Sequence, residues 1–465
     1  VSFTTWQYLV LLAISLIAVR RLGAGRASRA FLLVASCAFY AFFDVRLLPV
    51  LLGMAAMSFY VGRFVVRASG PRERRTALLF GVVLNLSVLG LFKYYGFFAG
   101  TLAALLRMPA PSSLGLVLPI GISFVTFEVL SYLVDIYRGE PEASSLLDFT
   151  LMVMFFPHLV AGPILKPRDF IPQLESRIDV SWDNLETALP QFLQGVVKKV
   201  LLADSLAMFV DPVFARPGTY SSMTVWLAVI AYSLQIYCDF SGYSDMAIAS
   251  ARCFGLDIPA NFNMPYLSQS VSEFWRRWHI SLSTWFRNYV YIPLGGSRRG
   301  LARASVNTMV VMLLSGLWHG AGWNFIVWGG LHGIAMVVER LFRAAFPKSE
   351  HTGRSPIWAT ASWVATLVFL AVAWVFFRAG SLASAMAVIG KMAFLGDVGG
   401  VNWIPTSLML VLPVVVVAHW VALNCALPGR IRVMSFAGGL VITTVVLAVL
   451  SFAPQQAAPF IYFQF

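Results

Sequence analysis

The chain has 465 residues, of which 59% are hydrophobic and only 12% charged. Soluble globular domains carry about 25% charged residues, so this composition excludes one and indicates an all-α, polytopic membrane protein. The net charge of +13 would suggest nucleic acid in a soluble protein; here it follows from Lys and Arg collecting in cytoplasmic loops, and no nucleic-acid partner is expected.

In chain order, the first segment, around 8–19, has no basic region before it and no small-residue cleavage site after it. It reads as a retained helix rather than a signal peptide. Apolar runs follow at 30–43, 78–98, 116–137, 223–238, 306–317, 357–377, 408–427 and 435–453. A run of about 20 apolar residues spans a bilayer, so roughly ten to twelve embedded helices are expected, some of them re-entrant. Residues 1–465 read as a single membrane domain: a helical scaffold at 1–138, a core at 139–345 and carboxyl-terminal helices with a tail at 346–465. Basic clusters at Arg20, Arg21, Arg26 and Arg29, and at Arg63, Arg67, Arg72, Arg74 and Arg75, place those turns in the cytoplasm. Both termini then fall outside. Cys37, Cys238, Cys253 and Cys425 are far apart and show no metal spacing, so no metal is expected.

Near the end of the scaffold, Glu128 and Asp135 stand in apolar context. Segment 155–172 holds four prolines and a glycine, which argues against a straight helix. Broken backbone at membrane depth is tolerated only where protein buries it or it lines a cavity. Asp183, with Glu186 three residues on, is placed to cap the next helix. A further helical stretch at 222–255 is interrupted by the polar string YCDFSGYSD.

The densest polar and aromatic cluster is NFNMPYLSQSVSEFWRRWHISLSTWFRNYVYIPLGG at 261–296. Treated as a helix from Ser272, it places Trp275, Trp278, Leu282 and Trp285 on one side. Arg276, His279 or Ile280, Ser283 and Arg287 fall on another, with Arg277 between. Such a face presents an imidazole and two guanidinium groups together. Guanidinium matches phosphate in bidentate fashion, so an aromatic-rimmed basic groove suits a nucleotide-bearing acyl donor. The bland alternative is an interfacial helix with snorkelling arginines. A second motif, SGLWHGAGWNFIVWGGLHG at 315–333, sets His319 between Trp318 and Gly320. An ionisable residue at this depth is a functional hypothesis by default. His332 reads as a satisfied core residue. Asp239, Ser241, Tyr243, Asp245 and Asn261 form further polar islands.

The string WRRWHISLSTWFRNYVYIPLGG followed by LWHG, with YCDFSGYSDMAIA and FPHLVAGPI before it, resembles the membrane-bound O-acyltransferase family. The resemblance runs in order from Phe155 to His332 and is strongest to the branch that acetylates alginate and related exopolysaccharides. It implies an acyltransferase of the bacterial inner membrane, with His319 as the catalytic histidine and His279 as the second. It further implies acetyl-CoA as donor substrate with no bound cofactor, and a central tunnel to which Asp239, Ser241, Tyr243, Asp245 and Asn261 contribute. Arg276, Arg277, Arg287, Trp275, Trp278 and Trp318 are the donor-binding candidates. Asn288 departs from the pattern, standing where many relatives have Asp; this puts in doubt the charge pairing expected beside Arg287.

The implied chemistry is consistent. Imidazole can take a proton from an alcohol as it attacks a thioester. The absence of a soluble Ser-His-Asp domain predicts a separate periplasmic acetyltransferase partner and exopolysaccharide secretion machinery, with membrane lipid around the helices. D-alanyl transfer from a carrier protein, a transporter-like role and a non-catalytic structural subunit are the alternatives.

The chain ends PFIYFQF, in which Tyr462 is the only hydroxyl. A similar ending occurs on a small peptide of the related teichoic-acid D-alanylation machinery. Tyr462 is therefore a candidate acyl relay, against the alternative of an aromatic interface anchor. Under the relay, Tyr462→Phe lowers polysaccharide acetylation at least about a hundredfold, measured as acetyl incorporated into polymer; full acetylation in that variant would exclude it.

Overall fold

The computed structural model of the chain describes residues 3–109, 114–160, 162–346, 355–395, 399–424, 435–452 and 460–461. Cys425 and Tyr462 lie outside the described residues. Among those described, the chain is helical, and its one β feature is an isolated bridge between Tyr220 and Val401. Six helical stretches are long and apolar enough to cross a membrane: Arg26–Arg67, Pro71–Leu106, Ser222–Arg252, Gly300–His319, Trp323–Ala345 and Pro356–Arg378. Large apolar side chains such as Phe80, Val83, Leu102 and Leu105 are left exposed on them, as lipid-facing surfaces require. The chain is a multi-pass membrane protein.

Contacts divide it into two compact units. The first comprises Val1–Gln194 and Tyr243–Ala260. It is built from α1 (Trp6–Leu22), α2 (Arg26–Asp44), α3 (Leu48–Arg67), α4 (Pro71–Leu89), α5 (Tyr95–Leu106), α6 (Ile122–Tyr137), α7 (Leu146–Met154), α8 (Pro167–Ser176) and most of α9 (Trp182–Val196). Helices α3, α4 and α6 pack on one another, and α2 packs on α1 and α7. Proline opens α3, α4 and α8, where its missing N–H is no loss. Between α7 and α8 the described residues are not helical and are mostly buried, as the prolines require. Glu128 holds this break: one carboxylate oxygen accepts the Leu165 N–H at 3.1 Å and lies 3.1 Å from His158 Nε2.

The second unit comprises Gly195–Gly242 and Asn261–Phe465. A π-helical turn, Val197–Ala203, leads into α10 (Asp204–Ala215), and α11 (Ser222–Arg252) begins here and ends in the first unit. Then come α12 (Val271–Arg277), α13 (Ile280–Phe286), α14 (Gly300–His319), α15 (Trp323–Ala345), α16 (Pro356–Arg378), α17 (Leu382–Met392), α18 (Thr406–Asn424) and α19 (Phe436–Phe452). The helices α14 and α15 form a tight hairpin. A Cβ on Gly316 would lie 2.2 Å from the Phe325 carbonyl oxygen, and one on Gly329 2.2 Å from that of Met312. Small residues here let two backbones touch, the usual basis of helix pairing in lipid.

Three expectations change. The helix expected from Ser272 through Arg287 is two helices: Trp278 is extended and His279 is left-handed at φ 43°. Asp183 is not a cap. Helix α9 begins at Trp182, and the Ser181 hydroxyl accepts the Asn184 N–H at 3.3 Å. The polar string in 222–255 does not interrupt α11, because burial inside the protein gives its polar side chains partners that lipid would not.

Gly316→Leu is expected to force α14 and α15 apart and destabilise the protein by about 1–3 kcal/mol. Thermal unfolding in detergent checks this; an unchanged midpoint would contradict the close approach.

Candidate active site

The break at Trp278–His279 is the centre of the site. A short non-helical segment, Asn261–Asn263, runs beside it. Asn263 donates its N–H to the Arg277 carbonyl, and Ile280 donates to the Asn261 carbonyl, both at 2.9 Å. The Asn261 side-chain oxygen accepts from the Ser281 N–H at 3.2 Å and the Ser281 hydroxyl at 2.9 Å, and it lies 3.1 Å from His279 Nδ1. A backbone N–H cannot accept, so the Asn261 atom facing it must be the oxygen. His279 Nδ1 therefore carries a proton, and in the neutral ring Nε2 bears the lone pair. A non-glycine residue at positive φ costs about 1–3 kcal/mol and persists where its surroundings over-determine it. Asn261 is that surrounding.

His319 ends α14, and its ring lies 6.4 Å from that of His279, centroid to centroid. Both imidazoles are buried, at 0% and 3% exposure, so the pair is shielded from bulk solvent. Aromatic rings wall them in. Trp318, Trp328 and Phe377 stand at 5.0, 5.0 and 5.1 Å from His319, and Phe240 and Trp318 at 4.7 and 5.9 Å from His279.

Beside this pair the second unit holds a cavity of about 580 Å³. Arg276, Arg287, Arg340 and Arg343 line it, together with Trp275. Its walls include Leu282, three residues after His279, and Ser315, one turn before His319. Arg340 is braced by the Thr308 hydroxyl at 2.9 Å and the Tyr291 hydroxyl at 3.3 Å.

The expected donor-binding set is thus divided. Trp275, Arg276 and Arg287 line the cavity. Arg277 instead pairs with Glu273 at 2.9 Å. Trp278 is turned into the core against Phe274 and Trp374, and Trp318 belongs to the histidine walls. The helix break explains these departures, because periodicity cannot be carried across an extended residue. Of the polar candidates, Asn261 holds His279, and Asp239 and Ser241 are buried in the second unit. Tyr243 and Asp245 fall in the first unit, where Tyr243 meets Phe3 and Gln191 donates to Asp245 at 3.5 Å. His332 is buried and its Nδ1 accepts the Trp275 indole N–H at 3.2 Å, but its Nε2 has no partner among the described residues, so the satisfied core residue expected there is satisfied at one nitrogen only. Arg340, Arg343, Phe240 and Trp328 were not anticipated. The arginines had a signal in their spacing of three on an apolar helix, which brings them to one face; the aromatics had none.

Residues 73–378 match the membrane-bound O-acyltransferase family. The probable alginate O-acetylase of Pseudomonas putida is 42% identical over 378 residues, 79% of this chain and 75% of its own length. The peptidoglycan O-acetyltransferase of Helicobacter pylori is 38% identical, covering 79% and 74%. The teichoic acid D-alanyltransferase of Streptococcus thermophilus is 30% identical over 47% of this chain and 56% of its own.

Replacing Asn261 with Ala removes the acceptor for His279 Nδ1 and the Ser281 N–H. An unsatisfied buried donor costs about 1–3 kcal/mol, so transfer should fall at least about tenfold, with Asn261→Asp recovering part of it. Turnover of the two variants at matched folded fraction is the check; equal turnover in Asn261→Ala and wild type would deny the clamp its role.

Proposed function

The chain belongs to the membrane-bound O-acyltransferase family, and from that premise we propose that it takes acetyl from acetyl-CoA at the cytoplasmic face of the bacterial inner membrane and passes it across for O-acetylation of an exported polysaccharide such as alginate. The observation that carries this reading is the arginine-lined cavity whose inner wall reaches within a helical turn of both histidines. Its four guanidinium groups suit the phosphates of CoA, and the place of Leu282 and Ser315 in its wall, each within about a turn of a histidine in sequence, suits a donor whose thioester reaches beyond the cavity. Similarity favours acetyl over D-alanyl: the relatives named O-acetylase or O-acetyltransferase share 38–42% identity over about 79% of the chain, against 30% over 47% for the D-alanyltransferase.

In this reading His319 accepts the proton of the acceptor hydroxyl as its oxygen attacks the thioester carbonyl. The C–O bond forms, the C–S bond breaks, and the proton returns to the departing CoA sulfur. His279, with Nδ1–H committed to Asn261, offers Nε2 as a proton acceptor, which favours a part in moving the proton over polarising the carbonyl. The aromatic walls keep out water that would otherwise hydrolyse the thioester. A periplasmic acetyltransferase and the polysaccharide secretion machinery complete the transfer.

Purified protein given radiolabelled acetyl-CoA is expected to release CoA, and His319→Ala to slow that release by about a hundredfold or more. Release that ignores the substitution would overturn the role of His319. No release from acetyl-CoA, with release from a D-alanyl carrier protein, would move the donor to the rival class, and none from either would favour a transporter.

A further inference from the structure

The first unit holds a cavity of its own, of about 410 Å³, within the range of about 300–1,000 Å³ usual for small-molecule sites. It is lined by Arg26 and Arg29 from the first turn of α2, by Ser144, Ser145 and Asp148 at the start of α7, and by Glu175 near the end of α8. Two of its four charges answer each other. Arg29 Nη1 donates to Asp148 Oδ1 at 2.7 Å, and the other Asp148 oxygen accepts the Ser144 hydroxyl at 3.3 Å. Asp148 is buried, and this pair braces the cavity. Arg26 and Glu175 are different. Both are exposed and both line the cavity, yet neither enters an ion pair among the described residues. Glu175 accepts the Ser144 hydroxyl, which leaves its charge unanswered. Arg29 also keeps an N–H, at Nε, that is buried and without a partner among the described residues.

Each of these two charges stands at the end of its helix where the macrodipole opposes it. Arg26 is the first residue of α2, whose cap, Gly25, supplies no side-chain bond; the partial positive charge there favours an anion. Glu175 lies in the last turn of α8, where the partial negative charge favours a cation. Fold stability is therefore a weak reason for either residue. A ligand carrying both charges satisfies both, with its anion at Arg26 and its cation at Glu175. The surroundings are those of lipid headgroups. Arg20 and Arg21 join Arg26 and Arg29 at this turn, and basic side chains collect at the edge of the bilayer. From the turn onward both helices carry exposed apolar side chains, Ile17 and Leu22 on α1 and Val34 on α2, the surface that acyl chains cover. Arg20 also donates to the Val180 carbonyl at 2.5 Å, which ties the turn to the segment after α8.

We propose that this cavity binds the zwitterionic headgroup of an aminophospholipid, its phosphodiester on Arg26 and its primary ammonium on Glu175. Guanidinium holds phosphate oxygens in bidentate fashion. An ammonium brings three N–H donors, and the Glu175 carboxylate has lone pairs left after the Ser144 hydroxyl. The charge pattern sets the order of preference. A phosphoglycerol headgroup is anionic and brings Glu175 no cation. A choline headgroup brings a positive charge but no N–H to donate. Ethanolamine supplies both. The site lies wholly within the first unit and does not rest on the reading of His279 and His319.

The test uses the full chain, delipidated in detergent and offered equal amounts of phosphatidylethanolamine, phosphatidylcholine and phosphatidylglycerol with identical acyl chains. Native mass spectrometry reports which lipid is retained, and the unfolding midpoint reports whether it stabilises the protein. Wild type should retain the ethanolamine lipid about tenfold over the glycerol lipid, with the choline lipid between them. Glu175→Gln should remove most of that preference, and Glu175→Lys should turn it toward the glycerol lipid. Arg26→Gln should lower retention of the ethanolamine lipid about tenfold. Both positions are exposed, so the lipid-free midpoint of each variant should match wild type. Free phosphoethanolamine at the same concentration should neither displace the lipid nor raise the midpoint; if it does both, the ligand is a soluble amino-phosphate and the lipid assignment falls. Wild type without a preference for the ethanolamine lipid, or a preference that survives both Glu175→Gln and Arg26→Gln, would overturn the site.

Discussion

An unpaired backbone N–H or C=O costs several kcal/mol away from water, and this chain breaks its helices repeatedly. At several of these breaks a polar side chain from another segment takes the orphaned group. Glu128 accepts the Leu165 N–H. Asn261 accepts the Ser281 N–H. Glu339 accepts the N–H groups of Val271 and Ser272 at the start of α12, and Asp239 that of Ile461. At the other end of a helix, Asn324 donates to the carbonyls of Phe376 and Ala379 where α16 stops. These contacts let irregular backbone exist in a protein otherwise made of helix.

The candidate site sits at such breaks, because a continuous helix would not bring these side chains together. A regular helix points its side chains outward at fixed angles and keeps its own polar groups occupied. The left-handed turn at His279 instead ends one helix and starts another within two residues, which aims the imidazole into the core while Arg276 and Arg287 stay on the cavity wall. His319 achieves the same by standing last on α14 before the glycines at 320 and 322. The glycines at 316 and 329 then allow α15 close enough for Trp328 to wall the second ring.

Much of this was legible beforehand. Composition and apolar runs sufficed for an all-helical membrane chain, since the bilayer leaves few other solutions. The prolines of 155–172 announced their break. His279 and His319 stood out because ionisable groups in apolar context are rare. The break after Arg277 was hidden, because its cause is Asn261, a residue earlier in the chain whose oxygen makes the strained turn affordable. Lys199 was equally hidden: a lysine in a helical run reads as solvated until its two carboxylates, Asp204 and Asp239 of α11, each 2.8 Å away, are known. Arg340 was not singled out because its partners, Thr308 and Tyr291, come from other segments. Local pattern reports what a residue's neighbours in sequence demand, and these residues answer to neighbours in space.

The burial of the two imidazoles constrains how any acceptor arrives. At 0% and 3% exposure, neither can be touched by a sugar ring of a polymer without rearrangement of the aromatic walls. A slender group on an extended chain faces no such obstacle, since an extended strand advances about 3.3 Å per residue and presents one side chain at a time. Phe460 and Ile461 are themselves buried, and the Phe460 ring lies 5.9 Å from that of Phe240, which stands 4.7 Å from His279. Burial of both imidazoles therefore restricts what reaches them to groups slender enough to pass the aromatic walls.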